Sequence, residues 1–142
     1  RLPLDGDIVG PTDLSSVVHA AVLEGCIGET ISAYEATLAM EKAQFSELKK
    51  TLKVIAADEL KHAQLSWRFI KWATEQQDQG VVQSIAAGFA RVLYGVPIDE
   101  PQADDGLLEV HGLLGKNAQW QCQKQACELI VVPAAKALLH DL

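Results

Sequence analysis

The stretch Ile55–Ala73, IAADELKHAQLSWRFIKWA, decides how the chain folds. Counted with its approach, it sets Leu48, Leu52, Ile55, Glu59, His62, Ser66, Phe69 and Ala73 at alternating spacings of four and three. Such spacing is one face of an α-helix, where successive residues turn by about 100°. Two members are wrong for an apolar interior, Glu59 and His62. They stand three residues apart, about 60° around the helix, so their side chains point the same way.

Toward the N-terminus, a second stripe repeats every seven residues through Val17, Glu24, Ile31, Leu38 and Phe45. Glu24 is its one charged member. Thr12 and Asp13 offer an N-cap before it, and from Leu14 to about Gln44 only Gly25 and Gly28 resist helix. Ser46 reads as the next cap, with Glu47 favourable in the first turn. A connection this short forces an antiparallel hairpin, about 13–44 against 46–78, with Gly80 as its stop. A shorter helix is expected over 81–94. The last helical region starts near Leu107, breaks around 112–117 and resumes to about Leu139, kinked at Pro133. No strand pattern competes. The expectation is an all-α helical bundle, one domain over 1–142, with an extended arm at 1–12 and an acidic loop at 95–106.

Composition narrows the function classes. The 142 residues suit one domain, and 49% hydrophobic against 22% charged residues is a folding composition. Twelve basic against 19 acidic residues give a net charge of -7, which argues against nucleic acid and anionic membrane surfaces as partners. The longest uncharged apolar-leaning run, Gly80–Ala90, is too short to cross a bilayer. Three cysteines without CxxC spacing, Cys26, Cys122 and Cys127, favour a reducing, cytoplasmic setting. The chain opens on Arg1 rather than Met, as expected of a processed product or a piece of a longer protein.

A carboxylate and an imidazole inside a packed interior each cost several kcal/mol, on the order of 2–7, if unpaired. Glu24, Glu59 and His62 therefore have two cheap solutions. They neutralise one another through hydrogen bonds, or they bind a cation. Oxygen plus imidazole ligation suits iron, manganese or zinc. Hairpin register leaves the three within about two turns of one height, roughly 10 Å.

The runs EGCIGETISAYEA (Glu24–Ala36) and Ile55–Ala73 resemble the ferritin-like di-iron carboxylate superfamily, over about residues 14–76. The resemblance implies a ferritin-like fold and a metal half-site of Glu24, Glu59 and His62. Glu24 would be a terminal carboxylate, Glu59 a bridging one and His62 a terminal imidazole. The implied cofactor is a pair of iron ions, with manganese as the alternative, and the implied chemistry is oxidase or ferroxidase. Glu29 is the rival to Glu24, standing 30 residues before Glu59. Asp58 is a candidate to orient His62 from behind, Glu35 reads as a solvated edge residue, and Glu128 as an unusual third-helix ligand.

A complete site of this class needs two such hairpins, and this sequence has one ExxH. Either a second hairpin precedes Arg1, or two copies pair as a homodimer. The competing expectation is a non-catalytic helical module for assembly, with a vestigial site. Gly25 and Gly28 are expected to permit close helix approach. Val54, Leu60, Trp67 and Trp72 lie off the core stripe and need cover from elsewhere.

Overall fold

In a computed structural model describing residues 13–95 and 109–140, four helices account for nearly all of the described residues. Helix α1 spans Leu14–Lys42, α2 spans Ser46–Glu75 and α3 spans Gln79–Leu93. After a single 3-10 turn at Glu109–His111, α4 covers residues 116–140. No strand occurs among the described residues. The arm at 1–12 and nearly all of the acidic loop lie outside them.

The caps differ in part from expectation. Asp13 does start α1, accepting a hydrogen bond from the Ser16 N–H at 2.9 Å. At α2 the N-cap position is Phe45, without a side-chain bond, and Ser46 is already helical. Its end is also not set by Gly80. The chain turns at Gln77, which takes a left-handed φ of 56°. Asp78 then caps α3 through the Val81 N–H at 3.0 Å, which places Gly80 inside the first turn of α3.

Helix α1 is not uniform. Ala21–Glu29 winds as a π-helix between α-helical ends. Bonds from i to i+5 widen the turn, so residues counted at 100° each fall out of phase across it. The core stripe also runs off the expected one, already by one position at Val18 ahead of the π segment. Val18, Val22 and Cys26 are buried before the distortion ends, and Ala33, Ala36, Ala39 and Ala43 after it. Val17 and Phe45, which the seven-residue repeat assigned to the core, are exposed. A second π turn at Cys127–Val131 sits just ahead of Pro133. It is the expected irregularity there, because Pro133 brings no N–H to the carbonyl four residues back.

Helices α1 and α2 pack along their length, joined by the three residues 43–45, which turn the chain back on itself. Small residues on α1 set the spacing. A Cβ added at Gly25 would collide with the Cβ and Oγ of Ser66, so this glycine lets the two backbones approach closely. Gly28 faces only a carbonyl oxygen of its own helix, that of Leu23, at 3.4 Å, and the close-approach expectation does not extend to it. Helix α3 packs on the first turns of α1, and α4 on its second half. The core is built from Val18, Val22, Cys26, Ile70, Ile85, Phe89 and Val131. Trp67 finds its cover here, stacked on Phe89 with ring centroids 5.4 Å apart.

Helix α1 thus touches each of the other three. By length and composition alone it could cross a membrane, with an 18-residue window of mean hydropathy 1.2. A central helix in a bundle of this kind meets the same criterion.

Candidate metal centre

Glu29 is the last residue of the π segment. Behind it, a short hydrogen-bond chain ties α1 to α2. Trp67 Nε1 donates to Thr30 Oγ1 at 3.3 Å, and the Thr30 hydroxyl donates to the Cys26 carbonyl at 2.6 Å. Thr30 is buried. The residue before it is consequently held against α2, at the level of the ExxH turn.

There, Glu29, Glu59 and His62 converge. Each offers a ligand atom, and these atoms lie within 4.8 Å of one another. His62 Nδ1 stands 3.7 Å from Glu59 Oε2. Glu29 shares a hydrogen bond with Glu59, which pushes the Glu29 carboxyl above the usual carboxylate range. Desolvation and the Glu59 charge add to the shift, and the His62 charge opposes it. The two carboxyls thus lie close enough to repel one another once both are ionised.

The structure brings Glu59 and His62 together as the stripe required. It does not bring Glu24 to them. Glu24 is exposed and borders a shallow groove between α1 and α3 with His19, Leu23 and Ser84. The reason is the π segment. Glu24 lies inside it, in its first turn, and the wider winding re-phases the helix so that Glu29 takes the place facing α2. Two adjacent signals in the sequence pointed that way, Gly25 and Gly28, because glycines lower the resistance of a helix to distortion.

Nor does the cluster sit in the middle of a buried face. The buried stripe of α2 runs through Ala63, Ile70 and Ala73. Glu59 and His62 lie on its open edge, with side chains 28% and 58% exposed. Beside Glu59, a groove of about 260 Å³ opens between Glu35, Leu52, Ile55 and Leu113. Glu35 is half-buried there and hydrogen-bonded to Gln123, with burial pushing its pKa up. It is not the solvated edge residue expected.

The remaining candidates have other roles. Asp58 pairs with Lys61 at 3.1 Å rather than with His62. Glu109 pairs with Lys42 at 2.7 Å, and His111 stacks on Phe45. Both hold the 3-10 turn on the tip of the hairpin. Glu128 is exposed and lines a groove with Arg91, Trp120 and Lys124, apart from the cluster. Tyr34 donates to Gln125 at 3.1 Å, linking α1 to α4. Cys26 and Cys122 are buried free thiols, and burial pushes their pKa values up to about 12 and about 11.

Comparison with protein-family models, with curated proteins and with solved structures finds no match. The chemistry of the cluster therefore rests on its own geometry.

The donor set suits a cation. Ligands held at ~2.0–2.2 Å from one ion stand at most about 4.4 Å apart. The widest pair here has to close by no more than about half an ångström, within the reach of a glutamate rotamer. Two carboxylates and one imidazole are borderline-hard donors that fit iron, manganese or zinc.

Proposed function

We propose that the chain is a metal-binding protein whose half-site is Glu29, Glu59 and His62. In the fullest form of this reading it is a di-iron oxidase or ferroxidase, its second half-site supplied by another hairpin. The observation that carries the reading is the convergence of three ligand atoms from two helices within 4.8 Å, on residues an apolar stripe has no use for. The hydrogen bond between Glu29 and Glu59 supports it, since two carboxyls that close would share a cation and be relieved of their repulsion.

Each residue has a definable task. Glu59 lies between the other two and can reach both, so it is the residue suited to bridge. Glu29, its carboxyl pushed up by Glu59, would be held as a carboxylate by a bound cation. His62 offers Nδ1 toward Glu59, from the more open side. Bound iron would supply one-electron redox chemistry toward dioxygen or peroxide. The groove beside Glu59, bordered by Ile55, Leu52 and Leu113, is the route by which a small reactant approaches.

The test is anaerobic titration with ferrous iron, with metal content read after removal of free ion. Glu29→Gln, Glu59→Gln and His62→Ala are each expected to weaken binding at least tenfold, the loss of about 1.4 kcal/mol of ligation. Glu24→Gln is expected to leave it unchanged. Equal loss in Glu24→Gln, or saturable binding that survives the other three variants, overturns the assignment.

A second reading has an observation in its favour. His62 is more than half exposed and one chain carries a single half-site. On that reading the domain is a structural module whose cluster is a relic, and the titration shows no binding by the unmodified chain.

A further inference from the structure

A groove between the end of α3 and the middle of α4 lies apart from the metal cluster and does not depend on it. Its volume is about 340 Å³, within the range of small-molecule sites. Val92 of α3 and Val132 of α4 give it an apolar lining, and the half-buried indole of Trp120 adds an aromatic wall. Two cations border it from different helices, Arg91 on α3 and Lys124 on α4. Within the described residues neither of them forms an ion pair. Lys124 Nζ instead stands over the Trp120 ring, 5.4 Å from its centroid. Glu128 is the one acidic residue among those lining the groove. In a chain with 19 acidic and 12 basic residues, a concavity with cations in excess reverses the overall field locally.

We propose that this groove binds a small aromatic carboxylate. A solvated Arg or Lys on a helix face needs no partner, but these two share one concavity with an indole and two valines. Arg91 offers the planar fork that takes a carboxylate through two hydrogen bonds. The indole and the valines take the ring. Lys124 carries its ammonium on a flexible four-carbon stem, so it leaves the ring face to the aryl group and pairs with the anion. The chemistry favours a carboxylate over a phosphate. The groove meets α3 at its last turn, where carbonyls rather than N–H groups are left over, so α3 brings no backbone cradle for a phosphate. The anion relies on the side-chain fork. Glu128 opposes it from the rim.

The test is calorimetric titration of the chain with naphthoate, beside neutral naphthamide, the saturated decalin carboxylate and naphthyl phosphate. Naphthoate is expected to bind saturably, one per chain, with a Kd below about 1 mM. The other three are expected to bind at least tenfold more weakly. Arg91→Gln should weaken naphthoate at least tenfold and leave naphthamide unchanged, and Arg91→Lys should restore only part of the loss. Glu128→Gln should tighten naphthoate. Arg68→Gln, an exposed cation on α2, should change nothing. Lys124→Gln, also exposed, is the second cation variant if circular dichroism shows Arg91→Gln to lose helix. Bound naphthoate should also slow alkylation of Cys127, which lines the same groove. Absence of saturable naphthoate binding below about 1 mM overturns the proposal. So does equal affinity for naphthamide, tighter binding of the phosphate, or binding that survives both cation variants.

Discussion

Glu29 holds its proton at a pH where the unfolded chain has released it, since its hydrogen bond to Glu59, burial and the Glu59 charge all raise its pKa. Across the window between the ordinary glutamate range and that raised value, the folded chain binds more protons than the unfolded one. Stability in the absence of metal therefore falls as pH rises through the window. Replacing Glu29 by Gln removes this proton dependence and the repulsion with Glu59. The variant is expected to flatten the slope and to be more stable than the unmodified chain near pH 7. The gain should be about 0.5 kcal/mol, the scale of a partly exposed charge pair. Urea denaturation of both proteins at several pH values measures it, and parallel slopes would contradict the raised Glu29 pKa. Metal affinity has the opposite trend, rising with pH over the same window, because binding expels the proton.

At the scale of the element, the distortion in α1 carries the consequences. Its two glycines have opposite environments, and substitution separates them. Gly28→Ala places a methyl where only a carbonyl oxygen stands at 3.4 Å. It should stabilise the chain by up to about 1 kcal/mol, the helix-propensity difference. Gly25→Ala gains the same propensity but drives its Cβ into Ser66. Overpacking of this sort costs about 1–3 kcal/mol, so the net expectation is a loss, partly restored by Ser66→Gly in the double variant. Thermal melts of the four proteins decide it. Two stabilised single variants would mean that α1 and α2 are not in contact at Gly25.

For the whole molecule, the thiols report on the integrity of the core. Cys26 and Cys122 are buried on two different helices, with pKa values of about 12 and about 11. Cys127 is half-buried, and burial and the Glu128 charge raise its pKa as well. None is activated. Near pH 8 a thiol-specific chromogenic reagent is expected to modify Cys127 slowly, and Cys26 and Cys122 only as fast as the chain unfolds globally. Urea should bring those two into reaction together with the loss of helical signal. Fast modification of Cys26 in the native protein would mean that α1 opens locally at its π segment.

The sequence alone determined the helical class, the two long helices and their breaks, and the pair Glu59 and His62. Each of these depends on short-range periodicity and caps, which a helix reads within its own few turns. The partner carboxylate was not legible in that way. Glu24 and Glu29 are both glutamates near two glycines, and a constant 100° per residue selects Glu24. The tertiary structure selects Glu29, because packing against Ser66 and the Trp67–Thr30–Cys26 hydrogen-bond chain accompanies a π-helical stretch that shifts the phase of everything after it. The core stripe of α1 is offset already at Val18, ahead of that stretch, and on α2 the buried residues Ala63, Ile70 and Ala73 leave Glu59 and His62 at an open edge. Which face of a helix is buried depends on where its neighbours lie, and only the packed chain decides that.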